Sequence, residues 1–169
     1  MTRLSGPFDI VPYERARHGY GPYRVVWAVF AEYGFPFAES DYDADVMHPE
    51  QHYDGRTGWF WVAEDASGNV AGCVGLSDEG GGEFELHRLY VLAEARGHSL
   101  GHRLCERVIE SAKQRGARRL VLFSDVHFTH AHDLYRRVGF RQNRFRYAPD
   151  PWQSREWGFV MEFAEEGRK

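Results

Sequence analysis

The chain has 169 residues, 43% of them hydrophobic, and a net charge of −4. That length suits one domain spanning residues 1–169 with a real core, and the composition excludes a disordered chain. Basic residues are scattered or sit beside acids, which argues against a nucleic-acid partner, and no apolar run after Arg3 is long enough for a signal peptide or a membrane helix. Phe8 to Val11 reads as a first short strand, closed by Pro12. Val25, Val26, Val29 and Phe30 fall at helical spacing, which predicts a helix over 22–33 ended by Gly34 and Pro36. Asp41 to His52 is polar and acidic, a weak second helix or a loop. Trp59 to Ala63 and Val70 to Leu76 read as strands joined by a turn at Ser67-Gly68-Asn69.

Asp78 to Gly82, with three glycines, reads as a flexible turn before a long strand over Glu83 to Leu92. Leu100, Leu104, Val108 and Ala112 then mark one face of a helix stopped by Gly116. Leu120 to Phe123 is wholly apolar and reads as a strand buried on both faces. Ala131, Leu134, Tyr135 and Val138 mark a further helix stopped by Gly139, and Phe140 to Tyr147 and Trp157 to Phe163 are the last two strands. An antiparallel meander followed by two strand–helix–strand units predicts an α/β (α+β) fold. Its mixed, mostly antiparallel sheet has about seven strands and is flanked by helices. Cys73 and Cys105 sit in apolar periodic segments and read as buried reduced thiols of a cytoplasmic protein.

The stretch most telling of chemistry is the junction at residues 87–102. An apolar strand ending at Val91 leads into the loop Arg96-Gly97-His98-Ser99-Leu100-Gly101-His102, which opens straight into a helix. Such a loop can aim several backbone N–H groups at one point, where the helix N-terminus adds partial positive charge, and this suits a phosphate-bearing ligand. The same residues also suit an ordinary strand–loop–helix connection. On the strand itself, period-two alternation puts Glu85, His87, Leu89 and Val91 on one face.

Other signals carry less. His127, His130 and His132 lie close together but lack ligand spacing on one helix face, so no metal is expected, and His130 or His132 reads as a surface residue at a helix start. Arg141, Arg144 and Arg146 interleave with Phe140, Phe145 and Tyr147, which fits a strand with one solvated face better than a nucleic-acid surface. Glu165 and Glu166 read as a charged tail.

With these motifs in this order, the chain resembles the GNAT superfamily of N-acetyltransferases over nearly its whole length, most strongly over 85–140. Arg96 to Gly101 stands where that family binds the acetyl-CoA pyrophosphate, with Ser99 in place of the usual first glycine. Ala131-His132-Asp133-Leu134-Tyr135-Arg136-Arg137-Val138-Gly139-Phe140 matches the family's Ala, Leu-Tyr and Gly-Phe pattern. Phe128 stands where an Asn often contacts the cofactor, with Thr129 next to it. The resemblance implies that Tyr135 protonates the leaving thiolate and that the backbone of Leu89, Tyr90 and Val91 receives the pantetheine arm. It also implies that Glu85 is the general base, with His87 as the alternate.

The implied reaction is acetyl transfer from acetyl-CoA to a primary amine of a small molecule, by direct attack with no covalent intermediate. Residues 33–53, with Tyr33, Phe35, Phe37, Tyr42, Asp41, Asp43 and Asp45, and the loop around Trp152 would shape the acceptor pocket. Aromatics with acids suit a small cationic amine. A non-catalytic acyl-CoA-binding or protein-interaction module of the same fold, and a protein N-terminal or lysine acetyltransferase, stay open as alternatives. Oligomeric state also stays open, although the last strands of this fold often pair across a homodimer.

Overall fold

The computed structural model describes Leu4 and residues 6–39 and 41–165; Arg3 and Glu166 lie outside them. Seven strands form one sheet: β1 (Asp9–Pro12), β2 (Gly58–Glu64), β3 (Val70–Gly80), β4 (Glu83–Val91), β5 (Arg119–Asp125), β6 (Arg141–Tyr147) and β7 (Arg155–Glu162). Their order across the sheet is β1-β2-β3-β4-β5-β7-β6, and each pairing is antiparallel except that of β4 with β5. The mixed sheet expected from the element order is therefore present. Pro12, which lacks an N–H, falls on the edge strand β1, where that loss is tolerated.

Helices cover both faces. On one side lie α1 (Arg15–His18), α2 (Gly21–Tyr33), α3 (Ala44–Met47) and α4 (Pro49–His52). Val25, Val26 and Val46 pack there against Phe60, Val62 and Cys73 of the sheet. On the other side lie α5 (Leu100–Gln114) and α6 (Thr129–Val138). The stripe Leu100, Leu104, Val108 and Ala112 meets Val74, Leu76, Phe84, Leu86 and Leu122, and burial of these side chains drives the layering. Both cysteines are free and buried, and burial pushes each thiol up to about 12. The polar segment 41–52 holds two single helical turns, tied down by the fully buried Val46.

Three expectations change. The turn over 78–82 contracts, because β3 runs to Gly80 and the connection is Gly81-Gly82, both at positive φ, as a tight hairpin requires. His132 is not a surface residue: it is buried, its ring 5.4 Å from that of Phe159, with Nε2 3.1 Å from the Ser124 hydroxyl. The shared face of Glu85, His87, Leu89 and Val91 is broken by a bulge. Gly75 faces His87 and Cys73 faces Tyr90, so Arg88 and Leu89 together oppose Val74. Arg88 takes φ 54°, and the strand flips there. Leu89 and Val91 join Phe84 and Leu86 on the α5 side, while Tyr90 faces the α2 side.

Candidate active site

β4 and β5 pair only as far as Leu86 and Leu122. Beyond that point β4 stays with β3 and β5 stays with β7, so the two central strands part. A cavity of about 1020 Å³ opens in the gap. Leu89, Tyr90 and Val91 line one side, and Phe123, Ser124 and Asp125 the other. Parted strands leave backbone N–H and C=O groups unpaired, and these are the natural partners of an extended, amide-bearing chain.

The loop forecast to hold phosphate reaches the same cavity. Arg96, Gly97, Ser99, Leu100, Gly101 and His102 are on its wall; His98 is not, its ring turned against Phe8 at 5.2 Å. Gly97 (φ 91°) and Ser99 (φ 56°, ψ 24°) both adopt positive φ, so the serine takes up the backbone conformation of the glycine it stands for. Its hydroxyl makes no capping bond. The Arg103 N–H donates to the Ser99 carbonyl at 3.0 Å, which leaves the N–H groups of the first turn of α5 free for an anion. Arg96 is not free: its two Nη atoms donate to Glu32 at 2.9 Å, and one also reaches the Val91 carbonyl at 3.2 Å. Arg137, on the same wall, has no partner among the described residues.

Tyr135 lies on the buried stripe of α6 and on the cavity wall. Its hydroxyl has no hydrogen-bond partner among the described residues. Burial raises its pKa, as do the neighbouring Cys105 thiol and Tyr90, so it stays protonated and can serve as an acid. Phe128 precedes α6, and its ring packs on those of Tyr33, Phe35 and Tyr90 at 4.7, 5.4 and 6.0 Å.

Glu85 and His87 lie elsewhere. Neither is on the cavity wall. Glu85 Oε1 is 3.7 Å from His87 Nδ1, and His87 Nε2 is 2.7 Å from the Ser77 hydroxyl, which donates to Glu79. Burial raises the Glu85 pKa, whereas His87, 3.9 Å away, and the hydrogen bond from Ser77 lower that of Glu79 to about 2. Potential ligand atoms of Glu79, Glu85 and His87 lie within 4.8 Å of one another, a grouping that no motif in the sequence announces.

The acceptor end differs from its forecast: Phe37 packs against Tyr23 and Phe30 away from the cavity wall, Asp41 is off the wall, and two of the other acids are paired. Tyr33, Phe35, Tyr42 and Trp152 line the cavity as expected, but Asp43 and Asp45 are already committed. Arg88 projects from the bulge and donates Nη1 to Asp43 at 2.9 Å, and Nε and Nη2 to Asp45 at 3.1 and 2.8 Å. Nη2 also reaches the Tyr42 carbonyl at 3.0 Å. The Tyr53 hydroxyl donates to Asp45 at 3.0 Å, and the Ala38 N–H to Asp43 at 2.9 Å. Burial works against the Arg88 charge, but the two carboxylates and Tyr90 outweigh it and hold the pKa well above its usual value. Asp43 lines the cavity in its pair with Arg88, and the other acids facing it are Asp125, Asp150 and Glu156. Burial raises the Glu156 pKa despite a 2.9 Å hydrogen bond from Arg146.

Parted strands, the N-terminus of α5 and the buried Tyr135 thus meet at one cavity. The family model for the acetyltransferase (GNAT) family matches residues 23–140. An uncharacterised N-acetyltransferase of Schizosaccharomyces pombe is 32% identical over 118 residues, 69% of this chain and 72% of that protein. The chain spans less of two other curated relatives, 49% and 58% of their lengths. A GNAT-family acetyltransferase structure from Staphylococcus aureus superposes with TM-score 0.80 at 20% identity, covering 92% of this chain and 99% of that one. A NatC complex bound to Gag peptide and CoA gives TM-score 0.68 at 16% identity, covering 93% of this chain and 99% of that one. The chain belongs to the GNAT family of acetyltransferases.

Proposed function

We propose that this acetyltransferase moves the acetyl group of acetyl-CoA to the primary amine of a small molecule by direct attack. The observation that carries the reading is the cavity between the parted strands, with the α5 N-terminus and Tyr135 both on its wall. GNAT family members use acetyl-CoA or acyl-CoA, and the NatC neighbour, which has the same fold, holds CoA. In this reading the pyrophosphate lies on the N–H groups opening α5, and the pantetheine arm pairs with the backbone of Leu89, Tyr90 and Val91. The bulge at Arg88 and Leu89 takes two peptide units out of the regular ladder with β3. An N–H freed there can polarise the thioester carbonyl and stabilise the oxyanion of the tetrahedral intermediate. Holding thioester and amine together supplies much of the rate, with no enzyme-bound acyl group. Tyr135 gives its proton to the departing sulfur. Glu85, the base implied by resemblance, lies off the cavity wall, so the proton of the amine needs another acceptor.

The aromatic walls at the acceptor end favour a compact amine with an apolar body. The test is thiol release from acetyl-CoA over a panel of small primary amines, with a peptide amine alongside. Release that depends on a small amine is expected. Release with the peptide alone moves the acceptor to protein, and binding of acetyl-CoA with no release leaves a non-catalytic module. Tyr135→Phe removes one hydroxyl from an apolar stripe, so fold and acetyl-CoA affinity should persist while turnover falls on the order of 10²-fold. Because burial keeps the phenol protonated, that deficit should be the same from pH 6 to pH 9. An unchanged rate would make Tyr135 a core aromatic only.

A further inference from the structure

Asp125 ends β5, and His127 stands two residues on, in the turn before α6. The Asp125 carboxylate accepts twice from that residue, from its backbone N–H at 2.9 Å and from ring Nδ1 at 2.6 Å. An ionised carboxylate only accepts, so Nδ1 carries the hydrogen, and in the neutral ring the lone pair is on Nε2. Nε2 has no partner among the described residues. The ring lines the cavity and rests edge-on against Phe35 at 5.7 Å, beside the aromatic wall of the acceptor end. Its side chain is 56% exposed, so a captured proton has a path to solvent.

We propose that His127, oriented by Asp125, is the base that takes the proton from the acceptor ammonium. This rests on the acetyltransferase reading above and names the residue that makes the amine nucleophilic. The ammonium gives one proton to Nε2, and the nitrogen lone pair so released attacks the thioester carbonyl. The C–N bond forms, the C–S bond breaks, and the thiolate takes the Tyr135 proton. The second nitrogen proton returns to the phenolate, and His127 gives its proton to water. The balance is one amide, one thiol and one proton. Charged groups facing this part of the cavity are Asp125 on β5, His130 on α6, Arg155 and Glu156 on β7, Asp150 in the β6–β7 loop, and the Arg88–Asp43 pair across the cavity. His127, which keeps a free ring nitrogen, is a wall residue, whereas Glu85 is not.

The experiment is turnover against pH for wild type, His127→Gln, Asp125→Asn and Glu85→Gln with one accepted alkyl amine, and acetyl-CoA affinity by calorimetry for each. His127→Gln should lose on the order of 10² in turnover at neutral pH. It should recover as the pH approaches ionisation of the amine itself, and keep acetyl-CoA affinity within about twofold. Asp125→Asn should lose part of the same limb. His127 is exposed, so its substitution should leave the thermal melt unchanged. The assignment is overturned if His127→Gln keeps the wild-type curve, if affinity falls in step with rate, or if Glu85→Gln alone removes the limb. A wild type that binds acetyl-CoA yet releases no thiol with any amine overturns the acetyltransferase reading itself, which the active-wild-type outcomes leave standing.

Discussion

Ser99 carries the backbone conformation that a glycine would adopt at no cost. A non-glycine residue in the left-handed region stores on the order of 1 kcal/mol, and here the hydroxyl returns no capping bond to offset it. The strain persists because Leu100 is fixed in the α5 core and Gly97 turns the chain on the other side. Ser99→Gly should therefore raise the melting temperature by about 2–4 °C, the response of a chain this size to about 1 kcal/mol. Acetyl-CoA affinity should be equal or tighter, since the loop N–H groups keep their directions. Differential scanning calorimetry with titration of acetyl-CoA checks both. A lower melting temperature would mean that the serine hydroxyl finds a partner worth more than the strain.

Among the elements, β4 decides the site, and it was only half legible in the sequence. Its existence, its end at Val91 and the loop into α5 follow from an apolar run, then basic and glycine residues. The bulge does not, because Glu85 to Val91 alternates acceptably with or without an inserted residue, and only pairing with β3 reveals Arg88 and Leu89 opposite Val74. The partners of Arg88 are 43 and 45 residues away, in a segment too polar and too short in its turns to give a helical signal. Asp125 and His127 were visible as residues, but an Asp and a His two apart signal nothing until β5 ends at Asp125 and sets both on the cavity wall. The Ala131-to-Phe140 pattern, by contrast, marked α6, the burial of Tyr135 and the stop at Gly139, which takes φ 112° as the helix ends, although the buried His132 lay off its predicted stripe. The bulge makes Arg88 a clamp that holds residues 42–45 at the acceptor end. Asp43 is 1% and Arg88 12% exposed at the side chain, so breaking the pair leaves buried charge and should cost about 3–5 kcal/mol. Arg88→Lys keeps the charge but loses the planar fork that grips Asp45 at two points. It should raise the KM of the acceptor amine several-fold, lower the melting temperature, and leave acetyl-CoA affinity close to wild type. Equal loss of affinity for both substrates would show that the clamp serves the whole cavity.

Across the whole molecule, carboxyls on different strands of the sheet, Glu64 on β2 and Glu85 on β4, pull stability in opposite directions with pH. Burial of Glu64 alone would raise its pKa, but hydrogen bonds from Arg17 (2.8 and 2.7 Å) and His18 (2.9 Å) outweigh it and hold the pKa below the ordinary range. A lowered folded pKa means stability that is present above the unfolded value of about 4.3 and lost as pH falls through the folded one. Glu85 has the opposite sign. Burial raises its pKa, which the 3.7 Å contact with His87 only partly counters, so its contribution is full below about 4.3 and lost as pH rises through the folded value. Glutamine mimics the protonated acid at both sites. Glu85→Gln should therefore melt higher than wild type at pH 7, with the difference closing near pH 4. Glu64→Gln should melt lower at pH 7, with its deficit shrinking as the acid is protonated. Melting temperature against pH for the three proteins measures both. A Glu85→Gln variant that melts lower at pH 7 would mean the ionised carboxylate is held by a partner beyond His87. If instead it melts higher and keeps wild-type turnover, the buried acid contributes to the fold's pH response and not to proton transfer, and the imidazole on the cavity wall is left to take the proton.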